Sequence, residues 1–291
     1  MNALSVIRFI SSHPLNQSAP LAAISRFIRW QIASRLIKAP VALPFTENTR
    51  LLVENGMTGA TGNWYCGLHE PEEMGFALHA LRSGDLFLDI GANIGSYTIL
   101  AAGARGARAI AIEPVPSTFA KLEANVRLNG LSANVQTLCC GLSSEPGIIR
   151  FTATLDTMNR VALPGETLPT ISVPVRTIDD VCANNIPQII KIDVEGHETS
   201  VLSGGEHTLI SERVEAVVME TNGSGTKFGI SDQDISDKMM RFGFRPYRYD
   251  PFKRTFADYA NGNNTIFIRD VEKLSNKCQQ ASPVNLINGT I

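Results

Sequence analysis

No Asp or Glu occurs before Glu47, while Arg8, Arg26, Arg29, Arg35 and Lys38 all fall in that stretch. In a chain of formal net charge −2 this makes a local basic arm, without the global positive field that recruits nucleic acid. Cysteine is scarce as well. Cys66, Cys139, Cys140, Cys182 and Cys278 form an odd set with no C-x-x-C pair, which argues against a disulfide framework or a zinc site and favours a reducing compartment. No apolar run approaches the roughly 18 residues that span a bilayer, and no hydrophobic segment with a small-residue cleavage site opens the chain. Together these absences predict a cytoplasmic protein that binds no nucleic acid.

At 291 residues and 44% hydrophobic, the chain has ample material for one large α/β domain with an extension. We divide it into a basic, partly helical arm (1–45), a segment leading into the fold (46–84), the main domain (85–270) and a weakly ordered tail (271–291). In the arm, Leu21, Ile24, Ile28, Ile32 and Leu36 recur at helical spacing. Such a stripe predicts a helix docked on the protein's own body or on a second subunit of a homo-oligomer, or else a helix lying on an anionic membrane at its inner face. Phe27 and Trp30 fall off the stripe and leave that choice open.

From residue 85 onward, short β-like runs alternate with helical patterns, the signature of a parallel sheet with crossover helices. Strands are expected at 86–90, 109–112, 135–138, 188–192 and 216–219, with a final pair at 244–249 and 265–268. Helices are expected at 97–104, 117–128 and 199–210, and another opens at Ser231, where Asp234 three residues on makes a shortened capping box. Residues 148–154 and 171–176 read as two antiparallel strands that leave this alternation, with 156–160 in the loop between them as a lid over an acceptor.

The run LFLDIGANIGSYT passes from a buried strand into a glycine turn and then a helix start. Small residues there admit close approach of a ligand, and free backbone N–H groups face it. Gly91-Ala92-Asn93-Ile94-Gly95 lacks the middle glycine of the dinucleotide fingerprint. Asp89 just ahead of the turn repels a phosphate and suits a cation, such as the ammonium and sulfonium of S-adenosyl-L-methionine. Glu113, ending the next strand roughly 20 residues on, is placed to accept ribose hydroxyls, a feature shared with NAD enzymes.

On these residues the chain resembles the FkbM-type S-adenosylmethionine-dependent methyltransferases. The resemblance is carried by DIGANIGSYT (89–98), AIEPVPSTFAKLEANVRLNG (111–130), VPVRTIDDV (173–181), KIDVEGHETSVLSGG (191–205) and VVMET (217–221), with KIDVEG the most specific. It implies a class I methyltransferase (Rossmann-like) fold, with a seven-stranded, mainly parallel sheet, one strand antiparallel and helices on both faces. It also implies methylation of hydroxyl oxygens on sugars or secondary metabolites. By the same resemblance Asp89, Gly91 and Gly95 border the methionyl end of the cofactor, Glu113 the ribose, and Cys140, Gly141 and Leu142 the adenine, with Asn93 of the turn also a cofactor-binding residue.

Transfer of a methyl group to an alcohol needs an acceptor for the hydroxyl proton, or a metal that acidifies it. Asp193, Glu195 and His197 crowd the end of a strand beside the expected methyl donor and are the candidate catalytic residues, in that order. Glu198 reads as a helix-opening acid that stabilises its own N-terminus. Asp193, Glu220 and Asn222 are oxygen ligands of the kind Mg²⁺ accepts. His69 and Glu70 are placed to help close the pocket, while Trp64 and Tyr65 beside them read as structural packing. The expected partner is a small-molecule or glycan acceptor. Two rival readings are an NAD-linked oxidoreductase and a cofactor-binding scaffold without turnover.

Overall fold

A computed structural model describes residues 3–152, 159–163, 165–183, 185–259 and 262–291. The chain opens with two helices, α1 (Ala3–Ser12) and α2 (Pro20–Leu36), then a hairpin of β1 (Val41–Pro44) and β2 (Arg50–Val53), followed by α3 (Thr58–Cys66) and α4 (Pro71–Ala80). The parallel core begins with β3 (Leu86–Ile90), α5 (Ser96–Ile99), β4 (Arg108–Ile112), α6 (Pro116–Leu128) and β5 (Val135–Leu138). The expected helix over 97–104 is α5 continued by a wider π turn, Leu100–Ala104.

An excursion follows, in which β6 (Gly141–Leu142), β7 (Gly147–Thr152) and β8 (Thr170–Arg176) form a separate three-stranded sheet in the order β6-β8-β7. β7 and β8 pair antiparallel as the sequence suggested. Of the expected lid at 156–160, residues 156–158 lie outside the described residues. A short helix, α7 (Ile178–Cys182), capped by the Thr177 side chain, returns the chain to the main sheet.

Then come β9 (Ile189–Ile192), α8 (Glu198–Ser203), α9 (Glu206–Ile210) and β10 (Ala216–Glu220). The single helix expected over 199–210 is broken at Gly204-Gly205. A Cβ on Gly204 would sit 2.1 Å from the Ser143 carbonyl oxygen, so the chain entering the excursion presses directly on this point. α10 (Asp232–Arg241) starts with the capping box, in which Asp234 Oδ2 accepts from the Ser231 N–H at 2.8 Å. The last elements of the main sheet are β11 (Arg245–Asp250), β12 (Thr255–Asp258) and β13 (Asn264–Ile268).

The main sheet runs β12-β11-β13-β10-β9-β3-β4-β5. Neighbours from β10 to β5 are parallel, β13 is antiparallel to both β10 and β11, and β12 is antiparallel to β11. This is the class I methyltransferase topology with one addition. The sheet has eight strands where seven were expected, because the turn after Asp250 folds β12 back onto the edge strand. β3, β9 and β10 are almost wholly apolar, as strands covered on both faces must be.

One apolar core lies between the sheet and the helices α7 to α10, and the other between the sheet, α5, α6 and the N-terminal segment. The second core also takes in the C-terminus. Residues 271–291, expected to be a weakly ordered tail, form α11 (Val271–Gln279) and a small hairpin of β14 (Asn285–Leu286) and β15 (Gly289–Thr290). Leu274, Cys278, Val284 and Ile291 are buried there. Asp270 caps α11 through its bond from the Lys273 N–H, and Lys277 bridges Asp85 and Glu215 at 3.0 and 2.9 Å. The polar residues between these spaced apolar positions are what made the segment read as a tail.

Candidate active site

The strand order reverses direction at β3, and a cavity of about 250 Å³ opens at the C-terminal ends of β3, β4, β9 and β10. That is where open α/β sheets bind ligands. Ten of the thirteen sequence-predicted site residues line it. Gly91, Asn93, Glu113, Cys140, Gly141, Leu142, Asp193, Glu195, His197 and Glu220 line the cavity. Asp89 lies one layer deeper, fully buried, and Gly95 stands at the start of α5 with φ +92°.

The glycine turn is held by the geometry around it. Gly91 has φ +74°, and a Cβ there would lie 1.9 Å from the Asp193 carbonyl oxygen, so only glycine lets the turn pass beneath β9. Asn93 also adopts positive φ, 51°, with its side-chain oxygen accepting from the Ile94 N–H at 2.7 Å. Glu113 clamps the turn to the second strand. Its two carboxylate oxygens accept from the N–H groups of Asn93 at 3.0 Å and Val115 at 2.9 Å. Each oxygen keeps a second lone pair, so the clamp is compatible with ribose recognition. Burial raises the Glu113 pKa to about 7 against these bonds.

Asp89 accepts from the Thr98 hydroxyl at 2.6 Å through Oδ2. Its Oδ1 is buried without a hydrogen-bond partner. Burial pushes its pKa up while the nearby Lys191 ammonium pulls it down. A buried acceptor left unsatisfied beside a glycine turn fits a cationic ligand group.

The acid side is more crowded. Asp193 follows β9, and its Oδ2 takes the ammonium of Lys191 at 2.9 Å. Lys191 is itself buried, lies 3.4 Å from the Gly91 carbonyl oxygen and stands over the Tyr97 ring, 5.1 Å from its centroid. Glu195 sits in the next turn with φ 53°, a strained conformation for a residue with a side chain. Burial first, and then the Asp193 charge, raises its pKa to about 7. Glu220, at the end of β10, is raised to about 9 by burial and by Asp193, Glu195 and Glu198. Its Oε2 has no hydrogen-bond partner.

Asp193, Glu195 and Glu220 offer carboxylate oxygens all within 4.8 Å of one another. The expected metal set named Asn222 in place of Glu195; Asn222 is not among the residues lining the cavity, although its side chain reaches Glu220. Asn222 is exposed, its amide donates to Glu220 Oε1 at 2.8 Å, and its carbonyl oxygen accepts from the Ser224 N–H at 2.9 Å. His197 lines the cavity with Nε2 3.1 Å from the Ser143 hydroxyl, and burial lowers its pKa. Glu198 turns inward and accepts from the Gly196 N–H at 3.0 Å, a local structural bond.

The N-terminal segment supplies the far wall. Glu70 accepts from the Tyr97 hydroxyl at 2.7 Å and from the Asn264 amide at 3.1 Å. Asn63 donates to the Ser96 hydroxyl at 3.1 Å, and its oxygen accepts from the His69 N–H at 2.7 Å. His69 and Glu70 line the cavity, while Tyr65 packs against Phe27 in the core.

Lys191 and Tyr97 are among the cavity residues that sequence reasoning missed. A signal for the lysine was present: it is the one charged residue in the apolar strand IIKI, and it stands two positions before Asp193 on the same side of the strand.

Strand order, glycine turn and acid-bearing strand ends define a class I methyltransferase architecture. The family model of the Methyltransferase FkbM domain matches residues 89–246, and the chain belongs to that family. It is 30% identical over 175 residues to a hexuronic acid methyltransferase, AglP, of Haloferax volcanii; the match covers 57% of this chain and 66% of that protein, just under two thirds of its length. Among solved structures it is similar to the Methyltransferase FkbM of Methylobacillus flagellatus, with 18% identity over 72% of this chain and 52% of that one and a TM-score of 0.47. A precorrin-6y C5,15-methyltransferase of Geobacter metallireducens gives 13% identity, 69% and 87% coverage and a TM-score of 0.40.

Proposed function

We propose that this protein is an S-adenosylmethionine-dependent O-methyltransferase acting on a hydroxyl of a sugar, glycan precursor or small natural product. The observation that carries the reading is the pairing of a glycine turn clamped by Glu113 with a cluster of carboxylates across the same cavity. The similarity to a hexuronic acid methyltransferase supports a sugar acceptor. When bound, S-adenosylmethionine supplies an electrophilic methyl group on a sulfonium.

The chain's own residues then have three tasks. Gly91, Asn93 and Glu113 hold the cofactor by shape and hydrogen bonding, and much of the acceleration comes from this alignment with the acceptor. Glu195 takes the hydroxyl proton as the acceptor oxygen is methylated; a pKa of about 7 makes it half ionised near neutrality, which suits a general base. Asp193 is less suited to that task, since Lys191 already occupies one of its oxygens. The ammonium of Lys191 tempers the repulsion among the acids. Those acids disfavour an acceptor carboxylate at the reacting position, which is why a hydroxyl is named.

A second reading follows from the carboxylate trio. Asp193, Glu195 and Glu220 present three hard oxygen donors, a set that suits Mg²⁺, which would acidify the acceptor hydroxyl directly. We favour proton transfer because Lys191 already supplies a cation there. Activity should therefore survive a chelator; loss on chelation with recovery on added Mg²⁺ would make the trio a metal site.

The deciding experiment is isothermal titration of S-adenosylmethionine and S-adenosylhomocysteine, with NAD as control and Glu113→Ala alongside, followed by an acceptor screen over neutral sugars. Binding of both sulfur ligands, weakened in the variant, is the expected result. Preference for NAD would overturn the reading in favour of the oxidoreductase, and binding with no turnover across the screen would favour a scaffold. The five free cysteines, four of them buried as thiols, support the cytoplasm as its place of work.

A further inference from the structure

α2 has two apolar faces. Ala23, Phe27 and Trp30 are buried, with Phe27 edge-on to Tyr65 at 5.4 Å between ring centroids, and this face docks the helix on the body. Ile24, one of the five striped residues of the sequence, is half-buried against the core, while the other four, Leu21, Ile28, Ile32 and Leu36, are 80%, 50%, 58% and 78% exposed. At 100° per residue they share a narrow arc opposite the buried three. This part of the stripe therefore does not dock on the protein's own body. Phe27 and Trp30, which lie off it, do that work.

The charges around the exposed arc are of one sign. Arg29 and Arg35 flank it, both exposed, and exposed Lys38 follows the end of the helix. α1 extends the same arm with exposed Leu4 and Arg8. Arg26 is excluded from this surface because its guanidinium donates to the Tyr65 carbonyl at 2.8 Å and to Asn16 at 3.2 Å. No carboxylate in the first 46 positions offsets these cations.

We propose that this face of α2 docks on the surface of an anionic lipid bilayer. An apolar arc bordered by arginines matches a helix lying in the interface, with its side chains among the acyl chains and its guanidinium groups at the phosphates. Charge decides against a second copy of the chain. A two-fold contact sets the same patch against itself, so it would bring two uncompensated basic arms together. Among the described residues no helix is long and apolar enough to cross a membrane, so the contact is peripheral.

The test is flotation of the full chain on a density gradient, first with vesicles of phosphatidylcholine mixed with phosphatidylglycerol and then with phosphatidylcholine alone. It needs no cofactor, so its outcome is independent of the methyl-transfer reading. The protein should float with the anionic vesicles and stay down with the neutral ones. The pairs Ile28→Ser with Ile32→Ser, and Arg29→Gln with Arg35→Gln, should each lower partitioning by roughly ten-fold or more. Neither pair touches the buried face, so the thermal unfolding midpoint should stay that of the parent. The proposal is overturned if the parent fails to float with anionic vesicles, floats equally with neutral ones, or is matched by both pairs. Sedimentation velocity on the same samples covers the rival occupant: a parent dimer made monomeric by the isoleucine pair, with no flotation, would assign the face to a second copy.

Discussion

The two sides of the cavity are built on opposite principles. On the glycine-turn side, the polar groups are spoken for: Glu113 accepts two backbone N–H groups, Asn93 closes its own turn, and Asp89 leaves a single oxygen unpaired. Across the cavity, carboxylate oxygens of Asp193, Glu195 and Glu220 stand within 4.8 Å of one another with one buried lysine paired to Asp193, and one residue holds a strained backbone. A satisfied network fixes one geometry; a crowded, under-compensated one shifts proton affinities. The first arrangement suits holding a ligand and the second suits moving a proton.

The largest effect is expected at Glu195. If this side moves the proton, Glu195→Gln should lower kcat by about 10²–10⁴-fold while leaving S-adenosylhomocysteine affinity at the parent's level. In the parent, activity should rise with pH through about 7 as Glu195 loses its proton, and that limb should vanish in the variant. A variant with parental turnover and an unchanged pH profile would take the base role away from Glu195.

On the holding side, Gly91→Ala is the severest change, because the new methyl meets the Asp193 carbonyl at 1.9 Å and the backbone stays at positive φ. A cost of about 3 kcal/mol in urea unfolding, with loss of cofactor binding, is expected. Glu113→Gln should be milder. The amide keeps one acceptor but cannot accept from both Asn93 and Val115, and about a ten-fold loss of S-adenosylhomocysteine affinity follows from weakening a charged hydrogen bond. An unchanged affinity by titration would place the cofactor elsewhere in the cavity.

At Glu220 the expected effect is on stability. Its folded pKa of about 9 lies above its unfolded value, so the folded state binds this proton more tightly. That contribution is complete below the unfolded value near 4.5 and is lost as pH rises through about 9. Glu220→Gln, which mimics the protonated acid at every pH, should stabilise the protein by about 1 kcal/mol at pH 8 relative to the parent and change little at pH 5. Thermal unfolding at the two pH values checks it; a variant equally affected at both would show that Glu220 titrates normally.

Much of the site was legible because its residues follow strand ends, and strand ends in a parallel sheet are collected by topology at one edge. Asp89, Glu113, Asp193 and Glu220 each come at or near the close of an apolar run, so reading the runs located the acids. The Ser231 capping box and the antiparallel β7-β8 pair were equally local, the one a matter of hydrogen-bonding side chains and the other of alternation.

What adjacent sequence could not state was which groups meet across distance. That Glu195 joins Asp193 and Glu220 depends on how the turn after β9 faces the end of β10. Helix spacing marked the stripe on α2 but not its destination, since an apolar stripe and the off-stripe Phe27 and Trp30 compete for the same core, and the larger aromatic surfaces took it. The C-terminal residues looked loose because their few apolar positions are widely spaced, yet Leu274, Val284 and Ile291 complete a core that the N-terminal helices open. Periodicity and turn chemistry, which are local, settled the class of fold, the glycine turn and the acids at the strand ends. Burial, charge coupling and the free face of the arm are properties of contacts between distant segments, and the folded chain alone decided them.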